Sequence, residues 1–112
     1  WREDYGYYVA DVTAKDCAHS YGPGCFIDQL CACGLSFACG LGYMFNAEHE
    51  ASARLAVVKN NIVRSPPFHD LQKHMFPGDT AAVTCTYPNG KLGQGMTYDT
   101  LVSIGWTYPV IA

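Results

Sequence analysis

The sequence predicts an α+β domain: an antiparallel sheet of about four strands, with one main helix over about residues 47–64 and one or two short helices packed on one face, the whole stapled by disulfides. Three observations lead there. Five of the six cysteines crowd into residues 17–39, a capped helical stripe starts at Asn46, and segments rich in Tyr, Val and Thr, punctuated by turn signals, occupy both ends of the chain. At 112 residues the chain is expected to form a single domain, 1–112.

Residues 5–13 alternate Tyr7, Val9 and Asp11 against Tyr8, Ala10 and Val12, which predicts a first strand. Gly22-Pro23-Gly24 marks a sharp turn out of the loop that follows. Residues 25–33 predict a short helix, because Phe26, Ile27, Leu30 and Cys31 share a face, and Gly34 stands where a left-handed terminating residue belongs. The main helix is predicted between Asn46 as cap and Ser65, before Pro66-Pro67, with Glu48 and Glu50 in its first turn and Ala51, Leu55, Val58 and Ile62 as its core stripe. Pro67 opens a helical turn carrying Phe68, Leu71 and Met75. A three-strand meander over 80–87, 91–98 and 101–108 closes the chain, with Asn89-Gly90 as its first hairpin turn.

The cysteine spacing argues for disulfides over metal. Zinc sites favour thiolates two to four residues apart in paired sets, whereas the gaps here are seven, five, one and five residues. Cys31 and Cys33 are too close to bridge each other easily, so their partners are expected elsewhere. Cys17, Cys25, Cys31, Cys33, Cys39 and Cys85 are therefore expected as a disulfide framework, with Cys85 pairing back to the cluster and the remaining connectivity open. Closing so long a loop stabilises by roughly 4 kcal/mol in the chain-entropy account.

Composition narrows the function classes. Charged residues are only 15 % of the chain, while eight Tyr, five Phe and two Trp supply contact area. The net charge of −3 and the scattered Lys and Arg argue against nucleic acid as a phosphate-driven partner. Low charge with high cysteine content points to a secreted, extracellular protein. The chain starts at Trp1 with no initiator Met and no signal-like stretch, through loss of a leader or through trimming; the first fits the cysteine argument. Residues 29–47 carry no charge, and the apolar core of that run, 35–45, is too short and too rich in glycine to span a membrane. It is expected as a buried, disulfide-anchored loop or strand. An exposed patch meeting a partner or a membrane surface is the alternative.

No phosphate loop, nucleophile elbow or zinc-protease helix is present, and no cofactor or metal site is predicted; His69 and His74 miss the ligand spacing of one helix face. One constellation stands out. Glu48, His49, Glu50 and Arg54 fall within two turns of the main helix, the kit of a metal-free ribonuclease-like hydrolase, although Glu48 and Glu50 also suit the helix dipole and Arg54 a surface pair. Tyr5, Tyr7, Tyr8 and Tyr21 are expected as an exposed aromatic binding face.

The missing Met, the six cysteines with their Cys31-x-Cys33 pair and one helix set against a small sheet resemble the small secreted cysteine-rich proteins of fungi, among them plant-pathogen effectors and killer toxins. The resemblance covers the general plan and residues 17–39, and carries no functional residues with it. It implies a non-enzymatic, toxin-like or virulence-related binding protein, acting on a host or target protein, with a glycan or a membrane surface as other partners.

Overall fold

A computed structural model describes residues 1–10, 21–64 and 80–90. The chain runs β1 (Cys25–Phe26), α1 (Cys31–Ala38), α2 (Ala47–Asn61), β2 (Ile62–Arg64), β3 (Thr80–Ala82) and β4 (Cys85–Thr86). The strands form two separate two-stranded antiparallel ribbons, β1 with β4 and β2 with β3, so the expected four-stranded sheet with helices on one face is corrected. The expected helical turn after Pro67 and the strands over 91–98 and 101–108 lie outside the described residues.

The break in the sheet has a local cause. Residues 80–87, expected as one strand, pair as β3 with β2 in the register Ile62 with Ala82, and as β4 with β1 in the register Phe26 with Cys85. Between them the chain changes partners. Val83 N–H donates to the Asn61 carbonyl at 2.7 Å, and the Thr84 carbonyl accepts from Ile27 N–H at 2.9 Å. The buried Asn61 amide fixes this crossover by donating through Nδ2 to the carbonyls of Cys25 and Val83, at 2.9 and 3.0 Å.

The N-terminal strand is also corrected in its described part. Residues 2–7 fold back as a tight reversal in which Arg2 N–H bonds to the Tyr7 carbonyl, and Tyr5 and Gly6 N–H both bond to the Arg2 carbonyl. Gly6 has φ of 69°, open to glycine, and Ser52 Oγ donates to its carbonyl at 2.9 Å. The expected helix over 25–33 becomes β1, a turn and only then the start of α1 at Cys31, because the Gln29 amide holds the turn: Oε1 accepts from Tyr8 N–H and Nε2 donates to the Phe26 carbonyl. Gly34 then lies inside α1 instead of ending it.

The end of α1 is a Schellman motif. Gly40, at φ of 71°, donates to the Phe37 carbonyl, and Leu41 N–H reaches the Ser36 carbonyl, which is the 5→2 and 6→1 pair that such an end requires. The next helix starts as expected from Asn46, whose Oδ1 accepts from Glu48 and His49 N–H at 2.8 and 3.1 Å. It ends at Asn61, ahead of the prolines, because Ile62 turns extended (φ −91°, ψ 106°) to enter β2. The core-facing stripe of α2 is Glu50, Ala53, Val57 and Asn61, whereas Leu55 is 71 % exposed and Val58 is also exposed. The expected stripe through Ala51, Leu55, Val58 and Ile62 is thus rotated, since the inner face carries polar side chains that bond to backbone. Around Ala53 and Val57 the core gathers Tyr7, Cys25, Ile27, Leu30, Cys33 and Ala82.

The two faces of α2 separate in a denaturation experiment. Val57→Ala opens a cavity in the core and should lower unfolding stability by about 2 kcal/mol, while Leu55→Ala, at an exposed position, should stay within about 0.5 kcal/mol. Equal losses in urea titrations would contradict the observed helix orientation.

Candidate interaction surface

The uncharged run around residues 35–45, expected to be buried, carries six of the eight exposed large apolar side chains among the described residues, the other two being Leu55 and Val58 on α2. Leu35 and Phe37 on α1, and Leu41, Tyr43, Met44 and Phe45 in the following loop, are each about half exposed or more, with Leu41 at 78 %. Backbone chemistry explains why the loop stands out. The Schellman turn at Gly40 throws the chain away from α1, and Ser36 Oγ donates to the Gly42 carbonyl at 2.8 Å, which fixes the return. Phe37 meets Tyr43 edge-on at 4.7 Å, and Phe45 meets Tyr8 at 5.2 Å, so the rings brace one another along the loop.

Glu50 holds the loop from below. It is fully buried, and its Oε1 accepts from both Met44 and Phe45 N–H, at 3.2 and 2.9 Å. The other oxygen lies 3.6 Å from Arg54 Nη1, one turn along the helix. Cys33 sits against the same carboxylate. Its thiol is pushed up to about 11, first by burial and then by the charge of Glu50. One carboxylate oxygen thus has two backbone donors, while Oε2 faces the Arg54 guanidinium with no hydrogen-bond partner among the described residues.

This arrangement separates the candidate catalytic residues. Glu48 is exposed. His49 stacks on Trp1 at 4.0 Å with its ring nearly parallel, and its Nε2 lies 4.0 Å from a Glu3 carboxylate oxygen. Glu50 and Arg54 are together beneath the loop, whereas His49 is held by Trp1 and Glu3, so the histidine and the buried carboxylate have different partners. The four tyrosines form no open face either. Tyr7 is buried, its hydroxyl donating to the Pro23 carbonyl and its pKa pushed up to about 12 by burial, while Tyr5, Tyr8 and Tyr21 are half-buried in ring contacts.

Among the described cysteines, no bond joins any two of Cys25, Cys31, Cys33 and Cys39. Cys17 lies outside the described residues. The β1–β4 register brings Cys85 beside Cys25 as a diagonal neighbour, opposite Phe26, and Cys85 Sγ fills the space that a side chain at position 24 would need, which accounts for Gly24. Burial pushes the Cys25 thiol up to about 11, against the lowering contacts of Asn60 and Gln29. Cys25 and Cys33 are therefore neutral thiols at neutral pH, poor as nucleophiles or metal ligands. Among the described residues no group of three or more His, Cys, Asp and Glu side chains is placed to hold a metal ion, and no helix is long and apolar enough to cross a membrane. His19, His69 and His74 lie outside the described residues.

Removing the Glu50 carboxylate should release the loop. Glu50→Ala leaves the Met44 and Phe45 amides without their acceptor and Arg54 without its partner; an expected loss of about 3 kcal/mol and of amide-exchange protection at 44 and 45 follows, whereas Glu48→Ala should change neither. Retained protection in Glu50→Ala would show that the loop is held otherwise. The raised thiols set a second expectation. Folding favours their neutral form, so their contribution is complete below pH 9 and is lost as pH rises towards 11; the melting temperature of the reduced protein should fall across that window. A rise there would refute the burial of these groups. Compared with known proteins, the chain matches no protein-family model, no curated sequence and no solved structure.

Proposed function

We propose that this chain is a secreted, non-enzymatic binding protein, effector- or toxin-like, that engages its target on another cell through the apolar loop of residues 35–45. The observation that carries this reading is the exposure of six large apolar side chains, two on α1 and four on the following loop, whose backbone is held by Ser36 and Glu50. Exposed apolar residues scattered singly are ordinary, but a run of them on one braced loop marks a contact site. Holding the loop in shape before contact lowers the ordering penalty of binding. The low charge and the cysteine content support extracellular placement, as does the resemblance to secreted cysteine-rich proteins.

The alternative ribonuclease-like chemistry requires a histidine and a carboxylate at one site, and the separation of His49 from Glu50 works against it. Fluorescently labelled protein applied to intact plant and yeast cells tests the choice. The parent should label one of them, Leu41→Ser/Met44→Ser should lower labelling about 10-fold, and Glu48→Gln/His49→Ala should leave it unchanged. RNA cleavage by the parent that falls about 100-fold in His49→Ala would overturn the reading in favour of the hydrolase.

A further inference from the structure

We infer that Met44 is an oxidation site of this loop: a hydroperoxide converts its thioether to the sulfoxide, which lowers contact through residues 35–45 while the fold stays intact. The inference rests on that face being the binding face, and names how its binding is regulated.

Position comes first. Met44 is 52 % exposed and lies between the exposed Tyr43 and Phe45. The backbone around it is bonded inward. Met44 and Phe45 N–H donate to Glu50 Oε1 at 3.2 and 2.9 Å, and the Gly42 carbonyl accepts from Ser36 Oγ at 2.8 Å. Both flanking rings are engaged as well, Tyr43 with Phe37 and Phe45 with Tyr8. A side chain carried on so fixed a segment stays within reach of a dissolved oxidant, and its oxidation product stays on display in the middle of the apolar face.

The chemistry follows from the thioether. A sulfur lone pair attacks one peroxide oxygen. The S–O bond forms as the O–O bond breaks, and the second oxygen leaves as hydroxide and takes up a proton to become water. Sulfur gives up two electrons and the peroxide accepts them. The product is polar where the parent side chain was flexible and apolar, which is why oxidation weakens contacts built on methionine.

Where the oxygen is added decides what it does. A buried methionine that gains an oxygen disrupts the core around it, whereas at Met44 the change falls outside the core built on Ile27, Ala53 and Val57. Oxidation here alters binding and spares stability, and because sulfoxide reductases return the thioether, the change is reversible. Other sulfur atoms bear on selectivity. Cys25, Cys33 and Cys85 are buried away from an oxidant in water, while Cys31 is half-buried and Cys39 exposed, so oxidation of these last two has to be told apart from that of Met44. Met75 and Met96 lie outside the described residues.

Peroxide treatment followed by cell labelling tests the inference. Brief exposure of the parent to hydrogen peroxide, quenched with catalase, should add one oxygen to Met44 in peptide mass maps. Labelling should fall about 10-fold with no change in melting temperature, and methionine sulfoxide reductases should restore it. Met44→Leu keeps every cysteine and both other methionines; it should label as the parent does and go on doing so after peroxide. Met44 left unmodified while free methionine in the same solution is converted would overturn the inference. So would an equal loss of labelling in peroxide-treated Met44→Leu, or a melting temperature that falls together with labelling in the oxidised parent. If Leu41→Ser lowers labelling and the Met44 sulfoxide does not, the oxidation inference fails and the contact reading stands; if neither lowers it, both fail.

Discussion

The described molecule depends on a polar side chain buried at each end of α2. At the C-terminal end, the Asn61 side-chain amide donates to the carbonyls of Cys25 and Val83, while the Asn61 backbone carbonyl accepts from Val83 N–H. Those three bonds tie the helix to β1 and to the point where the chain passes from β3 to β4. Two-stranded ribbons are marginal in water by themselves, so each needs an outside support. The helix supplies it. Thr86 Oγ1 adds a bond to the neighbouring Asn60 carbonyl at 2.8 Å, which closes the same junction from the other strand.

At the N-terminal end Glu50 does for the loop what Asn61 does for the ribbons. A buried carboxylate is a poor source of net stability, because losing its hydration consumes most of what its partners return. Its value lies in specificity: an apolar residue at position 50 would fill the space but leave the Met44 and Phe45 amides without an acceptor. The same logic applies to Asn61, whose Oδ1 is buried with no hydrogen-bond partner among the described residues. The amide bears that penalty for the two carbonyls it satisfies through Nδ2.

These polar residues also explain which parts of the fold were legible in the sequence. The α2 start was readable because its signals are local: Asn46 at the cap and acidic residues in the first turn act within a few residues of one another. Its orientation was not. Counting apolar side chains selects Leu55 and Val58, while the buried positions 50 and 61 hold residues that a hydrophobic pattern scores as outward. The split of residues 80–86 into two strands was equally hidden, since it follows from the Asn61 amide, 22 residues before Val83 in sequence, and not from any breaker within the segment. Gly34 and Gly40 show the same limit at short range. Either could end α1, and the choice falls to Gly40, where the chain adopts the left-handed conformation and both Schellman bonds form.

The apolar loop was legible as a composition and misread as a location. A run without charge is ordinarily buried because exposure of so much apolar surface is unfavourable, and the expectation of a core segment followed from that rule. What reverses it here is that both flanks of the run are already spoken for. Cys33 and Leu30 occupy the core side of α1, and Glu50, Ala53 and Val57 occupy the core side of α2, so the connection between the helices has no interior left to enter. Its backbone is bonded inward, to Ser36 and Glu50, and that leaves the side chains facing outward. A collapsed loop would have to break those bonds and leave Glu50 buried without its two donors. The exposed apolar face is thus the consequence of a buried carboxylate, and Glu50, which the alternative hydrolase reading placed in catalysis, anchors the loop that carries it.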